Sequence, residues 1–346
     1  MKKRIWIPLI ILVLLVSGGY YLSTIPGHFL INLPVEHKPS FAIDVSQCPS
    51  RLSTSGNKLV DANGKTVVLK GVMPADPAVM RGNGNFNQAF FDEIANSGAN
   101  VVRIAVHPEN WERDSDYLWR YLDPLVTWNC QQGLYTIIDQ HFIGNIATSS
   151  GDHMADIATH SKDFSLAFWR QVAAYFKDAP HVIFDIFNEP AGISSNTWRV
   201  NAAELVDAIR STGAKQLIII GGVEYSRDLS WVSSKPVPGE NLAFAVHIYP
   251  GHSRTSWDYW FGKTSQQYPV LVTEWGWMES DPSGNQPYLV GNQETYGQPL
   301  LEYLDAHDIG WVACWYDAEW KPAMFQKGNE NFTPFGQFVL QRLSGQ

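Results

Sequence analysis

Eight short apolar runs separated by amphipathic stretches constrain this chain more than any other feature. In order they are Thr66 to Val72, Asn100 to Val106, Leu134 to Asp139, Val182 to Pro190, Gln216 to Gly221, Leu242 to Ile248, Val270 to Glu274 and Gly310 to Trp315. Val, Ile and Phe in near-continuous runs suit strands covered on both faces, which is how parallel sheets are built. The intervening periodicity is helical over Phe86 to Ser97, Tyr117 to Gln132, Lys162 to Lys177, Thr197 to Ser211, Thr255 to Gln267, Asn292 to His307 and Phe332 to Leu343. Eight strands alternating with helices close naturally into a (β/α)8 TIM barrel of the α/β class. A doubly wound open sheet competes, but no run is followed by a glycine-rich phosphate turn. Residues 224–240 carry two prolines and no helical period, so the connection after the fifth strand reads as loop.

The fourth run ends abruptly in Asn188, Glu189 and Pro190. An amide and a carboxylate at the end of a buried strand are costly unless paired or used. Proline then stops the ladder, having no N–H to donate. Other strands end in the same unexpected way. The second carries Arg103 and the third leads to His141. The sixth carries His247 and Tyr249, two apart and so on one side of the strand, the seventh Glu274 and the eighth Trp315. Each has an ordinary explanation alone, as an ion-pair partner, a satisfied core histidine or simple packing. A barrel gathers all these tips on one face, where barrel enzymes place their chemistry.

Bulk properties remove several function classes. The 346 residues carry 25 basic and 34 acidic side chains, a net charge of −9, with no basic cluster beyond the first few residues. That excludes the positive patch a nucleic-acid partner requires. Fourteen Trp and fourteen Tyr are many for this length, and aromatic faces stack on sugar rings as well as filling cores. Cys48, Cys130 and Cys314 are too few and scattered for a disulfide framework or a zinc site, so Cys130 and Cys314 read as buried small hydrophobes.

Three basic residues, Lys2, Lys3 and Arg4, precede an apolar run starting at Ile5. Residues 1–22 therefore read as a signal peptide or signal anchor, with a membrane tether through residues 5–22 as one outcome. Residues 23–50 read as a proline-containing lead-in and 51–346 as the barrel, opening with a hairpin from Arg51 around the D-A-N-G turn. The barrel is expected outside the cytoplasm, secreted or anchored to the outer face of the membrane, as a monomer.

Glu189 and Glu274 suit cleavage of a glycosidic bond, which takes one protonated and one ionised carboxyl group. Mutual repulsion separates their titrations, and Arg103 beside one of them would keep it charged. Retention of configuration needs carboxyl groups about 5–5.5 Å apart and inversion about 6.5–9.5 Å.

The ordered motifs N-x-V-R-I-A-V, I-I-D-Q-H, V-I-F-D-I-F-N-E-P, H-I-Y and V-T-E-W-G, with the strand ending in Trp315, resemble glycoside hydrolase family 5, a cellulase family within clan A of the retaining glycosidases. The resemblance runs from about Gly56 to the C-terminus. It implies Glu189 as acid/base and Glu274 as nucleophile. Asn188 would hydrogen-bond the sugar 2-hydroxyl, Arg103 and Tyr249 would orient the nucleophile, and His247 would sit near the acid/base. His141 would line the site, Trp315 would floor it, and no cofactor or metal is implied. Gln140 before His141 departs from many members and blurs the subfamily. The implied activity is that of an endo-β-1,4-glucanase acting on a β-linked polysaccharide or oligosaccharide. Rivals are the same chemistry on β-mannan, β-1,3-glucan or xyloglucan, transglycosylation, and a non-hydrolytic glycan-binding barrel at the cell surface.

Trp111, Trp231, Trp257, Trp275, Trp277 and Trp320 are candidate sugar platforms, with packing expected for at least half. The acids Glu109, Glu112, Glu279, Asp317 and Glu319 read as sugar-binding or solvated. The cluster Asp152, His153, Asp156 and His160 has spacings that fit no standard metal ligand set.

Overall fold

The computed structural model describes residues 45–151, 160–328 and 331–345. The signal or anchor segment, most of the lead-in, and Asp152, His153 and Asp156 lie outside the described residues. Among the described residues no helix is long and apolar enough to cross a membrane.

Eight parallel strands form one closed barrel: β1 (Lys70–Met73), β2 (Val101–Val106), β3 (Tyr135–Gln140), β4 (Val182–Asp185), β5 (Ile218–Gly221), β6 (Leu242–Ile248), β7 (Val270–Trp275) and β8 (Gly310–Cys314). Neighbours follow sequence order, and pairing of β8 with β1 and of β4 with β5 completes the ring. All eight expected strands are present. The fourth run divides: β4 stops at Asp185, and Glu189–Pro190 forms a separate short strand beside Ile143–Asn145.

Alternation along the strands makes two apolar layers. Val101, Ala105, Ile137, Ile183, Ile219, Ala243, Ala245, Leu271 and Val312 fill the barrel interior, joined by Leu52 and Leu59 from the N-terminal hairpin. Val102, Ile104, Ile138, Phe184, Ile220, Phe244 and Val246 face the helices. Each Val, Leu, Ile or Phe among them contributes about 1.5–3 kcal/mol on full burial. The longer helices are α1 (Gln88–Asn96), α2 (Asp123–Gln131), α3 (Lys162–Phe176), α4 (Ser195–Arg210), α5 (Gln298–Ala306) and α6 (Pro334–Leu343). Asn87, Ser161, Ser194 and Thr333 cap α1, α3, α4 and α6, each side chain accepting from a backbone N–H in the first turn.

Three expectations need correction. The helix expected over Thr255 to Gln267 is broken into a 3-10 turn (Arg254–Ser256), a π turn (Asp258–Gly262) and the short segment Lys263–Ser265. Trp257, Trp275 and Trp277 are not sugar platforms but core residues, all but fully buried. Cys130 is not a free apolar residue: it forms a disulfide with Cys48, 82 positions earlier, because α2 returns it to the barrel end where the lead-in arrives. Cys314 is free and buried, as expected. After β5 there is only the short turn Val223–Ser226, in keeping with the expected loop.

Candidate active site

Inward positions on β2 are Val101, Arg103 and Ala105, so the strand's own alternation sends the Arg103 guanidinium to the centre of the barrel, fully buried. Continuing the inward sets of β3 and β4 past Ile137 and Ile183 gives Asp139 and Asp185, which the register pairs side by side. Arg103 Nε donates to Asp185 at 3.0 Å and Nη2 lies 3.2 Å from Asp139. Nη2 also donates to Asn188 Oδ1 at 2.8 Å, and Nη1 to Glu274 Oε1 at 2.8 Å. Burial works against the guanidinium charge, but Asp139, Asp185 and Glu274 together outweigh it and raise its pKa further. One cation thus faces three acids. Burial pushes Asp139 and Asp185 well above the usual carboxylate range, with Arg103 opposing the rise. The floor therefore retains a proton among its aspartates toward neutral pH.

Glu274 faces inward through an irregularity. Leu271 and Glu274 both point into the barrel although they are three residues apart, an odd step that regular alternation forbids. The register of β7 shifts between Val272 and Trp275 against β6 and β8, inserting the extra residue that re-aims the carboxylate. Its Oε2 accepts from the Tyr249 hydroxyl at 2.8 Å and lies 3.4 Å from His247 Nδ1. Cys314 Sγ touches the same Tyr249 oxygen at 3.2 Å.

Glu189 stands on the short strand above the barrel. Its N–H donates to Phe142 O at 3.0 Å, and that of Asn188 to Gln140 O at 3.0 Å. Ser226 Oγ donates to Asn188 O at 2.6 Å. This contact requires Gly221, where a Cβ would sit 2.3 Å from Ser226 Oγ. Glu189 Oε1 lies 2.7 Å from His247 Nδ1. Burial, then the nearby Arg103 charge, holds His247 well below its ordinary pKa, so the ring is neutral. One oxygen of Glu189, one of Glu274 and a nitrogen of His247 all lie within 4.8 Å of one another. Those donor atoms would suit a cation, but His247, Arg103 and Tyr249 already engage them.

His141 is tied by Nδ1 to Asp139 Oδ2 at 2.7 Å. Its ring stacks on His107 at 5.0 Å and meets the edge of Trp315 at 5.4 Å. Trp320 packs on both His107 and Trp315, at 4.8 and 4.6 Å. Its turn is held by Asp317 Oδ1, which accepts from the N–H groups of Glu319 and Trp320. Trp111 and Trp231 are half-buried: Trp111 packs on Phe168, and Trp231 donates to Asp228 O. His160 packs on Phe164 and Phe142.

All eight residues read from the sequence, Arg103, His141, Asn188, Glu189, His247, Tyr249, Glu274 and Trp315, thus lie at one end of the barrel. Asp139, Asp185 and His107 were missed, although an acid inside Y-T-I-I-D and V-I-F-D is a signal. Also missed was the turn Glu224, Tyr225 and Ser226, three consecutive non-glycine residues at φ of 57°, 60° and 54°. Left-handed backbone at such residues costs on the order of 1–3 kcal/mol each and clusters at functional sites. This turn reaches the site through Ser226.

The cellulase family, glycosyl hydrolase family 5, matches residues 60–319. Endoglucanase A of Butyrivibrio fibrisolvens is 26% identical over 251 residues, covering 68% of this chain and 54% of its own length. Endoglucanase N of Pectobacterium atrosepticum is 27% identical over 278 residues, covering 76% and 56%. The chain spans about half the length of the curated relatives it matches. Among solved structures, the native β-glucanase SdGluc5_26A from Saccharophagus degradans superposes with a TM-score of 0.82 at 26% identity, covering 87% of this chain and 95% of that one. That protein has also been solved in complex with cellotetraose. The catalytic domain of Thermobifida fusca endoglucanase Cel5A shares the fold, with a TM-score of 0.72 at 20% identity, covering 85% and 97%. With the match extending over most of the barrel, this chain belongs to the cellulase family, glycosyl hydrolase family 5.

Proposed function

We propose that this chain is a retaining endo-β-1,4-glucanase that works by double displacement with Glu189 and Glu274. The observation that carries this reading is the approach of the two carboxylates to within 4.8 Å across the barrel mouth. That approach suits direct attack on the anomeric carbon and leaves little room for a water between carboxylate and sugar. Glu274, held by Arg103 and Tyr249 on separate oxygens, has its charge and orientation fixed for attack. Glu189, on the opposite wall beside His247, protonates the departing glycosidic oxygen. The C–O bond to the leaving sugar breaks as the Glu274 ester forms. Glu189, now ionised, takes a proton from water, which attacks the anomeric carbon and releases Glu274 with net retention.

Asn188 presents its amide beside the nucleophile, oriented by Arg103 on Oδ1, which leaves its NH2 to donate to a sugar hydroxyl. Trp315, with Trp320, His107 and His141, forms an aromatic wall on which a pyranose ring stacks. Support for a β-1,4-glucan comes from relatives named endoglucanases and from the cellotetraose complex of SdGluc5_26A. The N-terminal segment supports placement outside the cytoplasm, and the enzyme is proposed to act there as a monomer.

The test is reducing-sugar release from carboxymethyl cellulose, β-mannan and laminarin, with Glu189→Ala and Glu274→Ala alongside. Cellulose is expected to be cut first. Glu189→Ala should lose roughly 10²–10⁴-fold, and far less on aryl cellobiosides whose leaving group needs no proton. Mannan or laminarin cut first would reject the substrate. Full activity in either variant would reject the mechanism.

A further inference from the structure

The barrel end remote from Glu189 and Glu274 holds a second chemical cluster. Cys48 in the lead-in and Cys130 at the C-terminal end of α2 are joined as a disulfide. His181, the residue before β4, lies against them, with one ring nitrogen and both sulfurs within 4.8 Å of one another. Cys130 and His181 are wholly buried, while Cys48 is half-buried and open to one side. His181 Nε2 lies 2.9 Å from Val126 O. A carbonyl only accepts, so Nε2 carries the ring hydrogen and Nδ1 presents a bare lone pair. Nδ1 has no hydrogen-bond partner among the described residues. A buried acceptor left unmatched costs about 1–3 kcal/mol, and a disulfide has no hydrogen to give it. One nitrogen tied to a backbone carbonyl and the other bare is the way metal-ligating histidines are held.

We propose that Cys48, Cys130 and His181 form a redox-gated binding site for a thiophilic divalent cation of the zinc type. With the sulfurs joined, the site is closed. A dithiol or phosphine reductant supplies two electrons, and two protons complete the opening of the S–S bond to two thiols. Each thiol loses its proton when it ligates the cation, and His181 Nδ1 supplies the third donor. Tetrahedral bonds of about 2.3 Å to sulfur and 2.0–2.1 Å to nitrogen set ligand atoms roughly 3.6–3.8 Å apart. The sulfurs must separate, and the imidazole, whose ring lies within 4.8 Å of both, must turn its bare Nδ1 toward them. Two thiolates cancel the cation's charge, so the buried site is neutral and avoids the cost of an uncompensated ion. Water takes the fourth position from the open side of Cys48. Disulfides persist in oxidising compartments and open in reducing ones, so one cluster would serve both. None of this depends on the cleavage site at the other end of the barrel.

The test is anaerobic titration of the phosphine-reduced full chain with Cd2+, a spectroscopic probe for zinc. One equivalent should produce a thiolate-to-metal charge-transfer band that Zn2+ displaces. The oxidised chain and Cys48→Ser/Cys130→Ser should show none. His181→Gln should bind at least tenfold more weakly. If that variant does not fold, the cadmium NMR shift of the reduced wild type must report two sulfurs and one nitrogen. If reduction alone loosens the chain, the metal must restore its near-ultraviolet circular dichroism. No band at one equivalent, equal affinity in a folded His181→Gln, or a shift without nitrogen would overturn the site.

Discussion

Arg103 Nη1 donates to Glu274 Oε1 at 2.8 Å inside a barrel where the guanidinium has no solvent contact at all. The same fork reaches Asp185, Asp139 and Asn188, so a single planar group sets the positions of four functional side chains. A lysine keeps the charge but satisfies only part of that fork. Arg103→Lys should lower kcat/KM by about 10²-fold or more, given about 1.5–3 kcal/mol per lost hydrogen bond to a charged group. Arg103→Met, which strands three carboxylates, should cost about 3–5 kcal/mol in stability. Kinetics and denaturant titration of the two variants check both figures.

Tyr249 holds the other oxygen of Glu274, donating to Oε2 at 2.8 Å. That contact fixes the carboxylate's orientation, which a single bond from Arg103 alone would leave free to rotate. In Tyr249→Phe the freed Oε2 loses its donor, and kcat/KM should fall roughly tenfold with the fold intact. Steady-state kinetics beside a thermal scan check this, and an unchanged kcat/KM would show that the contact to Glu274 does no work in turnover.

Asp139 and Asp185 give the floor its own pH dependence. Burial raises them from 3.8 to about 7 and about 8. Folding then favours the protonated acids, and the stability they contribute is fully present below about pH 4 and lost as pH rises through 7 to 8. Exposed acids with lowered values, such as Asp308 beside Lys58, push the opposite way, so the comparison must be between wild type and variant. Asp185→Asn should gain in Tm relative to wild type between pH 5 and 9. Calorimetry across that range checks the sign, and a constant difference would contradict the shared buried proton.

The fold was legible because its rules are local. Continuous Val, Ile and Phe runs recur eight times around the barrel with amphipathic helices between most of them, and each expected strand is present. The candidate site was legible because Arg103, His141, Asn188, Glu189, His247, Tyr249, Glu274 and Trp315 sit where apolar packing does not explain them. What escaped depends on distance in sequence or on backbone irregularity. The Cys48–Cys130 pair is set by where α2 ends, which spacing does not encode. Glu274 points inward only because β7 carries one extra residue. Trp257, Trp275 and Trp277 looked like loop aromatics because an outer core layer and a sugar cleft use the same side chains. Asp139 and Asp185 were hidden by the strength of the runs containing them.

The Cys48–Cys130 cross-link closes a long loop at the end of the barrel away from the carboxylates. Chain-entropy reasoning gives it about 4 kcal/mol. Cys48→Ser/Cys130→Ser should therefore lower Tm by roughly 5–10 °C while leaving kcat within twofold. A thermal scan paired with steady-state kinetics on one preparation checks both halves. A large loss of kcat in a fully folded sample would show coupling between the two ends.

The most direct measurement is covalent trapping with an activated 2-deoxy-2-fluoro-cellobioside, followed by peptide mass spectrometry. The fluorine slows both steps, and the activated leaving group lets the first outrun the second, so a retaining enzyme accumulates its glycosyl ester. One cellobiosyl unit is expected on the peptide containing Glu274, with none on Glu189 and no labelling in Glu274→Ala. Label on another residue would contradict Glu274 as nucleophile. Turnover of cellulose to the inverted anomer without any trapped ester would contradict double displacement altogether.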